Sequence, residues 1–217
     1  MKLSFNTQAL PKSTFALIKL FHSKKPSFLD SFYLSGGTGL ALHLGHRQSE
    51  DLDFFTSQSF DPYQLMAQLQ TFGNQLSQVE IHQNTLNLYF NQVKLQFLTY
   101  PYPLLKPLTD WKGIKISSVI DIACTKLITI SQRGFKKDFI DLYFILQQVP
   151  LDKLFSALEK KYENINFNKL HILKSLTFFE EADKQPMPRM LKPTTWDQIK
   201  DELTTTVIKF QNQFLRA

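Results

Sequence analysis

Apolar and polar residues alternate along the first half of the chain in the manner of β-strands. An apolar side chain recurs at every second position in residues 85–90 and again in residues 93–98. This alternation places the apolar side chains on one face of a half-buried strand. Asn91 and Gln92, which connect the two segments, fit a two-residue hairpin turn. Further strands are predicted for residues 32–34, 52–55 and 78–83.

After Ser117 the apolar residues follow a helical spacing instead. Apolar side chains three or four positions apart predict amphipathic helices. The predicted helices of this half are 118–134, 137–148, one beginning at Leu151, one after Asn168 and one beginning at Trp196. Those of the first half are 13–21, 38–44 and 62–72.

Three prolines, Pro101, Pro103 and Pro107, separate the two halves. Proline interrupts both helices and central strands, so this segment is predicted to mark a domain boundary. The sequence therefore predicts an α+β protein. Residues 1–108 form a lobe with a mixed sheet, and residues 109–217 form an α-helical bundle.

The amino-acid composition excludes several classes of protein. The 217 residues are 43% hydrophobic and include 20 phenylalanines, which excludes a disordered chain. No apolar run approaches the ~20 residues that span a bilayer, so we expect no membrane association. The single cysteine, Cys124, excludes an intrachain disulfide and favours a reducing cytoplasm. A net charge of +6 lowers the electrostatic cost of approaching a polyanion such as RNA.

A glycine pair follows the first predicted strand. Gly36 and Gly37 allow a turn with positive φ and a close approach of backbone to a ligand. Thr38 is predicted to cap the next helix, which Gly45 ends. Because a helix start exposes unpaired N–H groups, this turn is a candidate phosphate site. Arg47 is expected to bind a phosphate bidentately, and Ser49 is expected to cap the loop before the second strand.

Asp51 and Asp53 lie two positions apart at the second predicted strand, so both point to the same face. At ~4 Å and an effective dielectric constant of ~20, two such charges repel by about 4 kcal/mol. A divalent cation removes this repulsion, and paired carboxylate oxygens suit Mg²⁺, or Mn²⁺, shared with substrate phosphates. The alternative is an exposed strand whose two acids diverge into water.

Two blocks of sequence together resemble a known family. The first block comprises Gly36-Gly37-Thr38, Leu40-Ala41-Leu42, Gly45-His46-Arg47, Ser49 and Asp51-Leu52-Asp53. The second runs from Asp121 to Lys126, through Arg133-Gly134, to residues 137–142. Both resemble the motifs of the AbiEii/AbiGii nucleotidyltransferase toxins, which have a minimal polymerase-β-like fold. The resemblance extends over nearly the whole chain.

The resemblance implies a reaction and its partners. It implies an enzyme that transfers a nucleoside monophosphate from a nucleoside triphosphate (NTP), with Mg²⁺ or Mn²⁺, to an acceptor. The implied acceptor is RNA, such as the 3′ end of tRNA, and the implied role is that of a toxin with a cognate antitoxin. Two further enzyme or binding functions remain open on the same fold: an adenylyltransferase that modifies protein, and a nucleotide- or partner-binding module without catalysis.

The resemblance also implies roles for residues. Gly36, Gly37, Thr38, Arg47 and Ser49 are expected to bind the nucleotide. Asp51 and Asp53 are expected to be catalytic metal ligands.

In the second block, Lys126 is expected to reach the triphosphate, since a flexible point charge suits phosphate. Asp138 is expected to act as a further metal-facing carboxylate or as a base toward the acceptor hydroxyl. Without the resemblance, Lys126 is an ordinary exposed lysine and Asp138 an acid favoured by the helix dipole. Asp141 is expected to be structural and to orient Arg133 or Lys137.

One position departs from the polymerase-β-like pattern. Many such enzymes place a third metal-binding acid on a later strand of the sheet, and the corresponding position here is Gln96. A neutral glutamine cannot fully replace that acid. Either Asp138 supplies the third carboxylate, or the metal site is weaker than in polymerases.

Overall fold

The computed structural model describes residues 5–73 and 76–214. The chain divides into two compact units, residues 1–118 and 119–217. The first unit contains a mixed sheet with helices, and the second is helical. This arrangement confirms the predicted α+β class.

The first unit is organised around a seven-stranded sheet in the order β3-β4-β5-β2-β1-β7-β6. Its strands are β1 (Tyr33–Leu34), β2 (Leu52–Thr56), β3 (Leu76–His82), β4 (Thr85–Phe90), β5 (Val93–Thr99), β6 (Thr109–Trp111) and β7 (Ile114–Ile116). β2 runs parallel to β5, and β1 runs parallel to β7. The other neighbouring pairs are antiparallel.

The predicted hairpin between β4 and β5 is confirmed. Phe90 pairs with Val93, and the two residues between them, Asn91 and Gln92, have φ values of 48° and 67°. Positive φ at both central residues is the geometry of a two-residue hairpin turn that matches the twist of its strands. This turn sets the register of β4 against β5.

The β6–β7 hairpin was not predicted, and it extends the first unit beyond residue 108. Its turn also has two positive φ values, at Lys112 and Gly113. β7 pairs with β1, so residues 109–116 belong to the sheet rather than to the helical unit. The three prolines of the predicted boundary precede this hairpin.

One face of the sheet packs against helices. The first unit contains α1 (Lys12–Lys24), α2 (Gly36–Leu44) and α3 (Pro62–Gln70). Leu42, Leu65, Leu69 and apolar residues of α1 join the sheet residues of one buried core. In that core the rings of Phe54 and Phe97 stack with centroids 5.1 Å apart. Residues that alternate with these core positions, including Asp53 and Gln96, therefore point to the opposite face.

The second unit consists of helices. They are α4 (Val119–Arg133), α5 (Lys136–Leu146), α6 (Leu151–Lys161), α7 (Lys169–Ser175), α8 (Glu180–Asp183) and α9 (Trp196–Phe214). α4 packs against α5, α6 and α7, and α9 packs against α5 and α6. A buried ion pair between Lys161 and Asp121, 2.8 Å apart, links α6 to α4. Within residues 5–73 and 76–214, no helix combines the length and the apolar character needed to cross a membrane.

Candidate active site

The carboxylate of Asp53 lies directly against the backbone of Gly36. A Cβ atom added to Gly36 would overlap Asp53 Oδ2 and would lie 2.9 Å from Asp53 Cγ. Gly36 also has φ +60°, a backbone conformation that residues other than glycine rarely adopt. Glycine is therefore required here twice, for its conformation and for the approach of the carboxylate.

Two more of the predicted site residues lie against the backbone of Gly37, next to Gly36 and Asp53. A Cβ atom at Gly37 would lie 2.7 Å from Arg47 Nη2 and 3.1 Å from Ser49 Oγ. Both side chains are buried. Arg47 donates a hydrogen bond to the carbonyl of Gln48 at 2.9 Å. The structure thus gathers Gly36, Gly37, Arg47, Ser49 and Asp53 around the start of α2.

The prediction that Thr38 caps α2 is wrong. The helix begins at Gly36, with Ser35 at the N-cap position and no capping side chain. Thr38 is fully buried within the helix, and its hydroxyl donates to the carbonyl oxygen of Asp51. Thr38 therefore holds the loop that leads into β2. The predicted end of α2 is confirmed, because Gly45 has φ +59° and its N–H donates to Ala41 O.

Asp53 and Gln96 lie opposite each other on neighbouring parallel strands. Along β2, Leu52 and Phe54 are fully buried while Asp53 is half-buried, as expected for alternating faces. Asp51, also half-buried, comes directly before the strand. Gln96 therefore occupies the place on the sheet where a third acid would stand beside Asp53.

Substituting Gly36 with alanine is expected to disrupt this arrangement. The left-handed conformation costs a residue with a Cβ atom about 1–2 kcal/mol, and the new methyl group also displaces the Asp53 carboxylate. A displacement of about 1 Å can lower a reaction rate about a hundred-fold. We expect that scale of loss in nucleotide transfer and a lower denaturation midpoint.

Gly113→Ala provides the matched control for Gly36→Ala. Gly113 has φ +78°, and an added Cβ atom would meet no atom of the described residues within 4 Å. This variant should show the loss of stability but keep the transfer rate. Equal activity losses in both variants would contradict a role in transfer for the contact between Gly36 and Asp53.

In the second unit, Lys126 lies between two carboxylates. Its Nζ atom is 2.7 Å from Asp138 Oδ1 and 2.6 Å from Asp141 Oδ2. Asp138 and Asp141 are fully buried, and the side chain of Lys126 is 7% exposed. The alternative interpretation of Lys126 as an ordinary exposed lysine is therefore excluded. The buried Asp141 contacts Lys126, and Arg133 Nε donates to Asp138 Oδ2 at 3.1 Å.

The pKa of Asp138 is set by opposing effects. Burial raises the pKa of this carboxyl group, but the positive charges of Lys126 and Arg133 outweigh burial and hold the pKa below its ordinary value. Asp138 is therefore an anion at neutral pH. A carboxylate of low pKa is a weak proton acceptor, which favours the predicted metal-facing role over that of a base.

This lowered pKa predicts a pH dependence of stability. A group with a depressed pKa in the folded state stabilises that state above its unfolded pKa, here ordinarily 3.8. The contribution is lost as the pH falls through the lower folded value. We therefore expect the free energy of unfolding to fall as the pH is lowered below about 4, and Asp138→Asn to reduce that slope.

Denaturant titrations between about pH 5 and pH 2 test this expectation. Asp152→Asn, which changes an exposed acid of α6, is the matched control. The same slope in wild type and Asp138→Asn would show that Asp138 does not carry the effect.

Comparison with known proteins identifies the family to which the chain belongs. A family model described as the nucleotidyl transferase AbiEii toxin of a type IV toxin–antitoxin system matches residues 19–214. The chain belongs to the AbiEii family. This AbiEii protein is accordingly a nucleotidyltransferase, and its family implies a nucleotide substrate and a cognate antitoxin.

The chain is also similar to individual proteins in sequence or in fold. The Aquifex aeolicus protein aq_aa25 is 38% identical over 181 residues, which cover 79% of this chain and 84% of that protein. A Helicobacter pylori protein assigned as a nucleotidyltransferase has the same fold, with a TM-score of 0.56 at 16% identity. That match covers 95% of this chain and 98% of that one. MenT4, a nucleotidyltransferase toxin of Mycobacterium tuberculosis, also has a TM-score of 0.56 at 13% identity, covering 90% and 82% of the two chains.

Proposed function

We propose that this AbiEii protein transfers a nucleoside monophosphate from an NTP to RNA, with the 3′ end of tRNA as the acceptor class. The observation that carries the proposal is the contact of Asp53 with the backbone of Gly36, beside Arg47 and Ser49 at Gly37. This contact puts a carboxylate, a guanidinium group and the start of a helix in one place. An NTP with its metal ion needs those three features.

The residues at this site fit a divalent cation that is shared with the substrate. Asp51 and Asp53 offer hard oxygen ligands, and Mg²⁺ is commonly bound by one or two carboxylates plus substrate phosphates. Among the described residues, no cluster of three or more acidic, histidine or cysteine side chains is arranged to hold a metal alone. Bound Mg²⁺ or Mn²⁺ would neutralise charge on the phosphate that is transferred.

The chain's own groups would orient the triphosphate. The N–H groups at the start of α2 favour a phosphate, because the first N–H groups of a helix have no partner within the helix. Arg47 would add positive charge beside Gly37, and Thr38 would keep Asp51 in place through its bond to the Asp51 carbonyl. In this role Thr38 supports the metal ligands instead of touching phosphate.

The roles of Lys126 and Asp138 remain predictions from the family resemblance. Their contacts within the second unit suggest a different role for each of the two residues. Lys126 shares its charge between two acids, so it would serve as a positioning residue for Asp138 rather than as an unattached phosphate ligand. The ionised Asp138 would then bring negative charge, not proton acceptance, to the reaction.

The acceptor can be identified with the four NTPs, each labelled at the α-phosphate. Each is incubated with the purified protein, Mg²⁺ and total RNA, and the labelled product is treated with ribonuclease or protease. We expect label that ribonuclease releases and protease does not. Label that resists ribonuclease and is released by protease would identify a protein-modifying adenylyltransferase. Binding of NTP with no labelled product would contradict transfer.

A further inference from the structure

A row of polar side chains crosses one face of the sheet, starting from Asp53. The strand register places Gln96 opposite Asp53, Asn87 opposite Gln96, and Glu80 opposite Asn87. Paired residues share a face, and neighbouring strands lie about 4.8 Å apart. The row therefore leads away from the carboxylate at Gly36 in steps of one strand.

The two inner members of this row are neutral amides. Asn87 and Gln96 are both half-buried, and each alternates with fully buried apolar neighbours along its own strand. A side-chain amide carries no charge but offers two N–H donors and one carbonyl acceptor. Such groups are poor substitutes for metal-binding acids and good partners for sugar hydroxyls and the edges of nucleobases.

The amide oxygen of Asn87 is a buried hydrogen-bond acceptor. This Oδ1 atom has no hydrogen-bond partner among residues 5–73 and 76–214. Native proteins leave few buried polar atoms unpaired, because such an atom has lost its bonds to water without replacement. Because the side chain as a whole is only half-buried, a turn of its amide group would bring this oxygen to a donor of a bound molecule.

We propose that Gln96 and Asn87 bind the sugar and base of the NTP whose phosphates lie at Asp53. In this arrangement Asn87 Oδ1 accepts a hydrogen bond from a hydroxyl or amino group of the nucleotide. The inference rests on the proposed function, because it takes Asp53 as the phosphate end of the site. These two residues would then determine which nucleotide is selected. The same role explains why a neutral glutamine stands at position 96, where related folds place an acid.

Equilibrium binding of nucleotides to the full chain tests this inference. Calorimetry with Mg²⁺ and each of the four NTPs is performed on wild type, Asn87→Leu, Asn87→Asp and Gln96→Met. For the preferred NTP, Asn87→Leu and Gln96→Met should raise Kd about tenfold, or about 1.4 kcal/mol. Asn87→Asp keeps the acceptor, and with the uncharged nucleoside as ligand, which the added negative charge does not repel, its Kd should stay within about threefold of wild type. Gln70→Met, which removes an exposed amide at the end of α3, should leave Kd unchanged.

Deoxynucleotides and the choice of base distinguish the donor. If the ribose 2′-hydroxyl bonds Asn87, the effect of Asn87→Leu should disappear with the matching 2′-deoxynucleoside triphosphate; if the 3′-hydroxyl bonds it, the effect should disappear with the 3′-deoxynucleoside triphosphate. If a base amino group bonds it, the effect should persist with both deoxynucleotides and be absent with UTP, whose base lacks an amino group. Thermal unfolding provides a check, because replacing Asn87, whose buried Oδ1 atom has no partner among the described residues, with leucine should not lower the unfolding temperature.

Two results would overturn the inference in different ways. If wild type binds an NTP and both Asn87→Leu and Gln96→Met bind it equally well, the inference fails while the proposed function stands. If wild type binds none of the four NTPs, the proposed function fails and the inference fails with it. An unfolded Asn87→Leu would leave the decision to Gln96→Met and Asn87→Asp.

Discussion

Replacing Asp53 with asparagine is expected to lower nucleotide transfer by at least about a hundred-fold. Removing a single group that stabilises developing charge commonly lowers kcat by about 10²–10³-fold. Asparagine keeps the size of the side chain against Gly36 but removes the negative charge that would hold a divalent cation. Initial rates of label incorporation from the preferred NTP, measured over a range of Mg²⁺ concentrations, give the size of the loss.

Glu50→Gln is the matched control for Asp53→Asn. Glu50 is an exposed acid three positions earlier in the same segment, and it contributes a carbonyl, not its carboxylate, to the bond with Thr14. This variant should keep the wild-type rate and the wild-type Mg²⁺ dependence. A fully active Asp53→Asn protein would rule out Asp53 as a metal ligand in the reaction.

Replacing Lys126 with methionine is expected to lower the free energy of unfolding by about 3–5 kcal/mol, the range measured when one partner of a buried ion pair is removed. Methionine fills a similar volume, so the loss comes from charge and not from a cavity. Asp138 and Asp141 would both stay buried, with no ammonium group between them. Denaturant titration near neutral pH measures the change.

Two further variants make the Lys126 prediction specific. Lys184→Met removes an exposed lysine that pairs with Glu181 on the surface, and it should leave stability unchanged. Combining Lys126→Met with Asp138→Asn and Asp141→Asn should recover part of the lost stability, because the two buried negative charges that Lys126 balances are then removed as well. A triple variant as unstable as Lys126→Met alone would show that packing, rather than charge, accounts for the loss.

The hairpin register shows how far local sequence can predict a site. The turn residues Asn91 and Gln92 require Phe90 to pair with Val93, and the same register then pairs Asn87 with Gln96. Alternation along the two strands puts both amides on the polar face. The turn and the alternation in the sequence therefore already indicated that Asn87 lies beside Gln96, although only Gln96 was named as a candidate. That Asn87 Oδ1 has no partner within residues 5–73 and 76–214 depends on the surrounding atoms, so only the structure shows it.

Other features depend on contacts between distant segments. Thr38 fits a helix cap by local pattern, yet its partner is the Asp51 carbonyl, which the fold brings to it from 13 residues away. Lys126 and Asp141 lie on different helices, so their pairing follows from packing and not from spacing along one helix. The strands β6 and β7 have three residues each, too few for alternation to stand out after a proline-rich segment.

The central claim is that this AbiEii protein transfers a nucleoside monophosphate, and the fate of the two ends of the triphosphate tests it most directly. The preferred NTP is supplied labelled at either the α- or the γ-phosphate, together with Mg²⁺ and RNA. The account predicts that α-label becomes attached to RNA while γ-label appears in pyrophosphate. Transfer of γ-label to RNA or protein, or release of γ-label as orthophosphate without attachment of α-label, would contradict it.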